Sequence, residues 1–177
     1  MHQKSEAIRK QLFALDEFRA AGLVHFYISM GHEVETLTMI QEAINLKKRV
    51  AVPVMQPENA DHLRLFELFK DSSLIPGPRG TLQPHPDRVR PVGTNDIDLM
   101  MIPGVAFDRH GRRLGRGLGY FDRLLSQSFK KTAPVIGLAY ELQLVENVPV
   151  TDQYKAVDKI ITEARVIDCR ADRALQR

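Results

Sequence analysis

The residues with the most chemical promise lie between Arg109 and Asp122. Gly111, Gly115, Gly117 and Gly119 fall within nine residues, threaded with Arg109, Arg112, Arg113 and Arg116. Glycine tolerates positive φ and lets backbone amides come close to a ligand. A curl of such amides binds anions, and a helix beginning at Gly119 would aim its free N–H groups at the same point. Guanidinium groups match phosphate oxygens through paired hydrogen bonds. Asp122 is a poor phosphate contact but suits Mg²⁺, the usual companion of a polyphosphate. The segment ends in no Gly-Lys-Ser/Thr, so it is not a P-loop. Its Gly-x-Gly-x-Gly spacing differs from the dinucleotide fingerprint. The alternative is a loop with surface arginines, in which Asp122 merely complements a helix dipole.

Such a segment needs a scaffold, and the hydrophobic pattern supplies one. Ile8, Leu12, Leu15 and Phe18 predict a helix over 4–19. The apolar run 22–30 predicts a strand, Leu37, Ile40 and Ile44 a helix over 36–46, and 50–54 a buried strand. Strand–helix–strand with short joins implies a parallel sheet. Residues 62–69 predict a half-exposed strand, and 97–102 a buried one that ends at Pro103-Gly104. A helix over 120–129 and strands at 134–140, 159–162 and 165–167 complete the pattern. Five prolines and three glycines make 71–96 a loop. The expectation is an α/β fold over 1–177: one domain, a three-layer sandwich around a mainly parallel, Rossmann-like sheet.

Composition narrows the function. A net charge of +3 is a mild excess, and the basic residues are scattered outside the arginine cluster, which argues against general nucleic-acid binding. The lone Cys169 allows no internal disulfide and suits a reducing compartment; it reads as a bystander rather than a nucleophile. No apolar run approaches the ~18 residues of a spanning helix, and the N-terminus has no signal-peptide pattern. The expectation is a cytoplasmic protein with no membrane or nucleic-acid partner.

Residues 97–125 contain Pro103-Gly104-Val105-Ala106-Phe107-Asp108, then Arg113-Leu114-Gly115-Arg116-Gly117-Leu118-Gly119-Tyr120-Phe121-Asp122-Arg123. This stretch closely resembles the hallmark of the 5-formyltetrahydrofolate cyclo-ligases, also called methenyltetrahydrofolate synthetases. Glu33-Val34-Glu35-Thr36, Gly137-Leu138-Ala139 and Val157-Asp158 carry the resemblance through nearly the whole chain. It implies an ATP- and Mg²⁺-dependent ligase acting as a monomer on 5-formyltetrahydrofolate, with or without a polyglutamate tail. The products are 5,10-methenyltetrahydrofolate, ADP and phosphate. It also implies site residues. Arg113, Leu114, Gly115, Arg116, Gly117, Leu118, Gly119, Tyr120 and Phe121 would bind ATP. Ile28, Glu33, Arg116 and Tyr120 would bind the folate, with Arg116 and Tyr120 catalytic. Asp122 and Asp158 would hold or support Mg²⁺. Each has a plainer alternative: Glu33 as a solvated loop charge, Asp158 as a cap or ion pair at a strand start, Tyr120 and Ile28 as core.

The chain also departs from the family. Phe121 replaces a second tyrosine, Gln83-Pro84 stands where Glu-Pro is common, and Asp152-Gln153-Tyr154-Lys155 where many members have His-Asp. The family opens on a basic helix that touches ATP, and Lys4, Arg9 and Lys10 lie too close to Glu33 in sequence to be its counterparts. These departures motivate a second reading, a non-catalytic folate or nucleotide binder. An RNA-binding module is the weakest reading, for want of aromatic platforms.

Overall fold

Leu23, Val24 and His25 are all buried and form β1, the short strand about which the molecule is wound. The computed structural model describes residues 1–56, 59–77, 80–117, 119–126, 133–149 and 155–174. Ahead of β1 lie α1 (His2–Ala14) and α2 (Asp16–Ala20). After it come α3 (Leu37–Asn45), β2 (Arg49–Gln56), β3 (Asn59–Leu68), β4 (Leu74–Pro76), β5 (Leu82–Pro84), β6 (Val89–Val92) and β7 (Leu99–Ile102). The chain continues through β8 (Ala106–Phe107), β9 (Arg113–Leu114), α4 (Tyr120–Ser126), β10 (Val135–Leu138), β11 (Lys159–Ile161), β12 (Val166–Asp168) and α5 (Cys169–Ala174).

Eight strands form one sheet in the order β12-β11-β10-β7-β1-β2-β3-β6. The central run β11-β10-β7-β1-β2 is parallel throughout. Antiparallel β12 closes one side, and β3 and β6 close the other. From β1 the chain moves outward through α3 to β2. It then returns to the other flank of β1 for β7 and moves the opposite way through α4 to β10. The winding therefore reverses between β1 and β7, and a crevice opens beyond the carboxyl ends of those strands.

Alternating side chains divide the core into two layers. Val24, Val50, Val52, Leu99 and Met101 pack with Ile8 and Leu12 of α1, Phe18 of α2, and Met39 and Ile40 of α3. Leu23, Ala51, Met100 and Ile102 pack with Phe107, with Leu124 and Leu125 of α4, and with Cys169 of α5. The helices thus cover both sheet faces, as the expected three-layer α/β sandwich requires.

Several predicted elements differ in extent. The helix expected over 4–19 is two helices broken at Leu15, which is extended at φ −67°, ψ 140°. The break lets Phe13 stack on Phe18, their centroids 4.2 Å apart. Only residues 23–25 of the run 22–30 are strand; Phe26, Tyr27 and Ile28 leave the ladder yet remain buried. The proline-rich stretch 71–96 is no mere loop but contains β4, β5 and β6. Three of its prolines fit because they occupy strand ends and the sheet edge, where a missing N–H costs no ladder bond: Pro76 and Pro84 end β4 and β5, and Pro91 lies in β6 at the margin of the large sheet. The paired β8 and β9, and α5, were not expected.

Phe107 is wedged between two glycines. A Cβ at Gly137 or at Gly104 would come within 2.6 Å of its ring. Phe107 belongs to the hairpin that leads into the glycine-rich segment, so this packing also sets where that segment begins. Gly137→Ala is predicted to cost about 1–3 kcal/mol through overpacking. That would be read as a melting temperature lower by several degrees, and an unchanged melting temperature would contradict the wedge.

Candidate active site

A cleft with a cavity volume of about 230 Å³ lies beyond the carboxyl ends of β1 and β7. One wall is the segment after β1, with Tyr27, Ile28, Met30 and Glu33. The opposite wall is Pro103 and Gly104 after β7, continued by Arg113, Gly115, Arg116, Gly119, Tyr120, Phe121 and Asp122. Pro53 of β2 and the Thr81-Leu82-Gln83 stretch complete the lining.

The glycine-rich wall is held from beneath by Arg113, whose side chain is only 4% exposed. Its guanidinium donates to Asp122 Oδ1 at 2.5 Å and to the Pro103 carbonyl at 3.4 Å. It also lies 6.0 Å from the centroid of the Phe121 ring. The loop must pass directly over this cation, and a Cβ at Gly115 would stand 2.8 Å from Arg113 Nη1. Gly117 and Gly119 then turn the chain into α4 at φ 85° and 62°, a region that suits residues without a Cβ.

Across the cleft, Glu33 is fixed at the end of a tight turn. Met30 N–H donates to Glu33 Oε2 at 2.9 Å, and Arg116 reaches Glu33 Oε1 at 3.4 Å. The Glu33 side chain is 14% exposed and that of Arg116 51%. Burial pushes the Glu33 carboxyl above its ordinary value of 4.5; the Met30 N–H and the Arg116 charge pull the other way but do not cancel it. The solvated-charge alternative for Glu33 therefore does not fit. Arg116 spans the cleft mouth and joins the two walls.

Among the residues expected to bind ATP, Arg113, Gly115, Arg116, Gly119, Tyr120 and Phe121 come together in the cleft. Leu114 pairs with Ala106 in the hairpin and does not line it; neither does Gly117, which is exposed. Leu118 lies outside the described residues, as do Asp152, Gln153 and Tyr154. Ile28 is both buried and cleft-lining, so its two readings coincide. Tyr120 lines the cleft with the Arg123 guanidinium 5.2 Å from its ring centroid.

The two expected metal carboxylates are not brought together in the cleft. Asp122 lines it and is 44% exposed. Asp158 sits just ahead of β11, at the amino ends of the parallel strands. Its Oδ2 accepts the Val135 N–H at 2.9 Å and its Oδ1 accepts from Arg170 at 2.7 Å. Its place in the structure is the ion pair at a strand start that the sequence left open as the plainer alternative.

Other features escaped the sequence. Gln83 lines the cleft with a buried side-chain oxygen that has no partner among the described residues, an acceptor that a ligand N–H could complete. His25 is fully buried, its Nδ1 on the Met101 carbonyl and its ring 6.3 Å from that of Phe121. Burial pushes its pKa down to about 4, so it stays neutral at ordinary pH. Of the lysines and arginines of α1, two turn to ion pairs: Lys4 with Glu163, and Arg9 with Glu6 and Glu42. None of them lines the cleft.

The chain is similar to known proteins over most of its length. The model of the 5-formyltetrahydrofolate cyclo-ligase family matches residues 1–163. The 5-formyltetrahydrofolate cyclo-ligase of Haemophilus influenzae is 32% identical over 148 residues, covering 84% of this chain and 79% of the relative. The Escherichia coli K12 enzyme of the same name is 32% identical over 147 residues, covering 82% and 80%. The solution structure of Aquifex aeolicus 5,10-methenyltetrahydrofolate synthetase superposes with a TM-score of 0.81 at 31% identity, covering 94% of this chain and 81% of that one. A Mycoplasma pneumoniae 5,10-methenyltetrahydrofolate synthetase shares the fold, with a TM-score of 0.66 at 22% identity, covering 90% and 85%. A crevice at the winding reversal, walled on one side by Glu33 and on the other by the glycine-rich turn, is thus set in a chain that belongs to the 5-formyltetrahydrofolate cyclo-ligase family.

Proposed function

We propose that this protein couples ATP cleavage to ring closure, converting 5-formyltetrahydrofolate to 5,10-methenyltetrahydrofolate with release of ADP and phosphate. The observation that carries the reading is one cleft that sets a buried carboxylate, Glu33, against a glycine-rich, arginine-bearing wall. In this reaction the formyl oxygen takes the γ-phosphoryl group from ATP. N10 then attacks the activated carbon, and the C–O bond to phosphate breaks. The enzyme's part is positioning and charge neutralisation.

Glu33 accepts hydrogen bonds from the donor-rich edge of the pterin, and Ile28 gives it an apolar floor. Arg116 leaves Glu33 to meet the transferring phosphoryl group, so it serves both substrates. Tyr120 stands beside the reacting oxygens and orients them. Gly115, Gly117 and Gly119 keep the backbone low enough for the nucleotide phosphates to approach, and Arg113 supports them from below.

The donor set suits Mg²⁺. This ion takes one or two protein carboxylates and fills its remaining positions with phosphate oxygens and water. Among the described residues no cluster of three or more acidic, histidine or cysteine side chains forms a complete protein cage. Asp122, which lines the cleft, is the carboxylate that would hold the ion. When bound, the ion offsets phosphate charge. We place the protein in the cytoplasm as a monomer whose folate carries one or several glutamates; among the described residues no helix is long and apolar enough to cross a membrane.

The ion-paired basic residues of α1 favour a second reading, a member that binds folate without turning it over. Purified protein given 5-formyltetrahydrofolate and Mg-ATP should form a product that absorbs in the near ultraviolet. Calorimetric folate binding with no turnover would select the binder instead.

Two site variants test the assignments. Arg116→Ala removes a charged hydrogen-bonding group worth about 1.5–3 kcal/mol. The KM for ATP should rise by roughly ten- to a hundredfold, and an unchanged KM would remove Arg116 from the phosphate site. Glu33 binds its proton more tightly in the folded protein than in the unfolded chain. Its burial therefore costs stability at neutral pH, and the cost fades as pH falls through the raised value. Folate affinity, which needs the charged form, should fall on acidification in a window above the ordinary 4.5. Glu33→Gln should bind folate weakly at neutral pH and lose that acid limb; persistence of the limb would point to another group.

A further inference from the structure

Glu33 can act on a ligand only if its backbone is held, and part of that hold comes from outside the cleft. The segment 27–36 is closed at its base by Ser29 and Thr36. The Ser29 N–H donates to Thr36 Oγ1 at 3.0 Å, the Thr36 N–H donates to Ser29 Oγ at 3.1 Å, and the Thr36 hydroxyl donates to the Tyr27 carbonyl at 2.6 Å. The return limb is then tied at three successive residues. The Glu33 carbonyl accepts from the Tyr140 hydroxyl at 3.4 Å, and the Val34 carbonyl from the Tyr27 hydroxyl at 3.0 Å. The Glu35 N–H donates to Ser5 Oγ at 3.0 Å.

Two of these ties meet. Ser5 Oγ and the Tyr140 hydroxyl are 2.9 Å apart, and both residues are buried. Each hydroxyl has one proton to give. With Tyr140 donating to Glu33 and Ser5 accepting from Glu35, the bond between them runs from Ser5 to Tyr140. Ser5 lies on the same face of α1 as the buried Ile8 and Leu12. A lone hydroxyl on such a face costs free energy unless it is bonded, and this one is bonded twice, to Tyr140 and to Glu35.

We propose that Tyr140, oriented by Ser5 of α1, is a positioning residue for the folate half of the site. The relay fixes the backbone that carries Glu33, and so sets where its carboxylate meets the substrate. Neither Ser5 nor Tyr140 lines the cleft, so both act through Glu33. The first helix therefore serves folate recognition in this chain, while its Lys4 and Arg9 are spent on ion pairs. The inference rests on the reading of Glu33 as a folate contact.

The test is a double-mutant cycle with Tyr140→Phe, which keeps the ring and removes the hydroxyl, and Glu33→Gln. One lost hydrogen bond corresponds to roughly a three- to tenfold change. Tyr140→Phe should raise the folate KM by about that factor, with kcat and the KM for ATP little changed. Ser5→Ala should do the same, and Ser5→Thr should restore part of the loss. In the Glu33→Gln background the Tyr140→Phe effect should largely vanish, since the carboxylate it positions is gone. An equal folate effect in both backgrounds would overturn the positioning role, as would a loss of kcat with folate KM unchanged. Calorimetric folate affinity gives the same cycle if turnover is too slow to measure. Should Glu33→Gln alone leave folate binding unchanged, the failure would lie in the reading of Glu33 and not in the relay.

Discussion

The Arg113–Asp122 ion pair beneath the glycine-rich turn is the contact on which the site depends. It joins β9 to the first turn of α4 across a segment that has little side-chain volume of its own. With Arg113 almost wholly buried, removal of Asp122 would strand the guanidinium charge, at a cost of about 3–5 kcal/mol. The pair therefore holds the turn in place while leaving its backbone uncovered. The packing of Phe107 against Gly104 and Gly137 carries this constraint back into the sheet. The hairpin β8–β9, the end of β7 and the interior of β10 meet at that one ring.

The opposite wall is built by a different means. Few ladder bonds hold the chain after β1, and its order comes from hydroxyl groups of Ser5, Tyr27, Ser29, Thr36 and Tyr140. These are short-range, directional contacts, and they suit a wall that must hold one carboxylate at a set height. A charged pair stands on one side and a hydroxyl network on the other, with Arg116 between them. It is half exposed and rests on Glu33 across the mouth. On the proposed reading, an anionic polyphosphate would meet the Arg116 half of that contact and a donor-rich pterin the Glu33 half.

Much of this could be read from residues alone. The alternation of apolar runs and helical periods gave the parallel sheet, because a βαβ unit leaves few other ways to bury both faces. The glycine–arginine spacing indicated an anion site, since positive φ and forked cations are requirements of local chemistry. Glu33, Arg116, Tyr120 and Asp122 were named from sequence and do meet in one cleft. Local patterns failed where partners are distant. The prolines of 71–96 read as a loop until β3 was seen to offer β6 an edge position. Asp158 read as a metal ligand until its place at the amino end of β11 set it on Val135 and Arg170.

The sequence by itself thus determined the strands of the central parallel run and the glycine-rich turn, because period, chirality and backbone freedom act over a few residues. Tertiary structure alone decided which charges are free to meet a ligand. Arg113 looks like a phosphate contact in the chain; in the fold it lines the cleft with its guanidinium buried against Asp122. Lys4 and Arg9, which lie too close to Glu33 in sequence to be the family's ATP contacts, are held by Glu163, Glu6 and Glu42. Ser5 and Tyr140, 135 residues apart, carry no motif, yet they meet under Glu33. A charge or hydroxyl takes its role from the partner that folding brings to it, and a partner that far along the chain leaves no local trace.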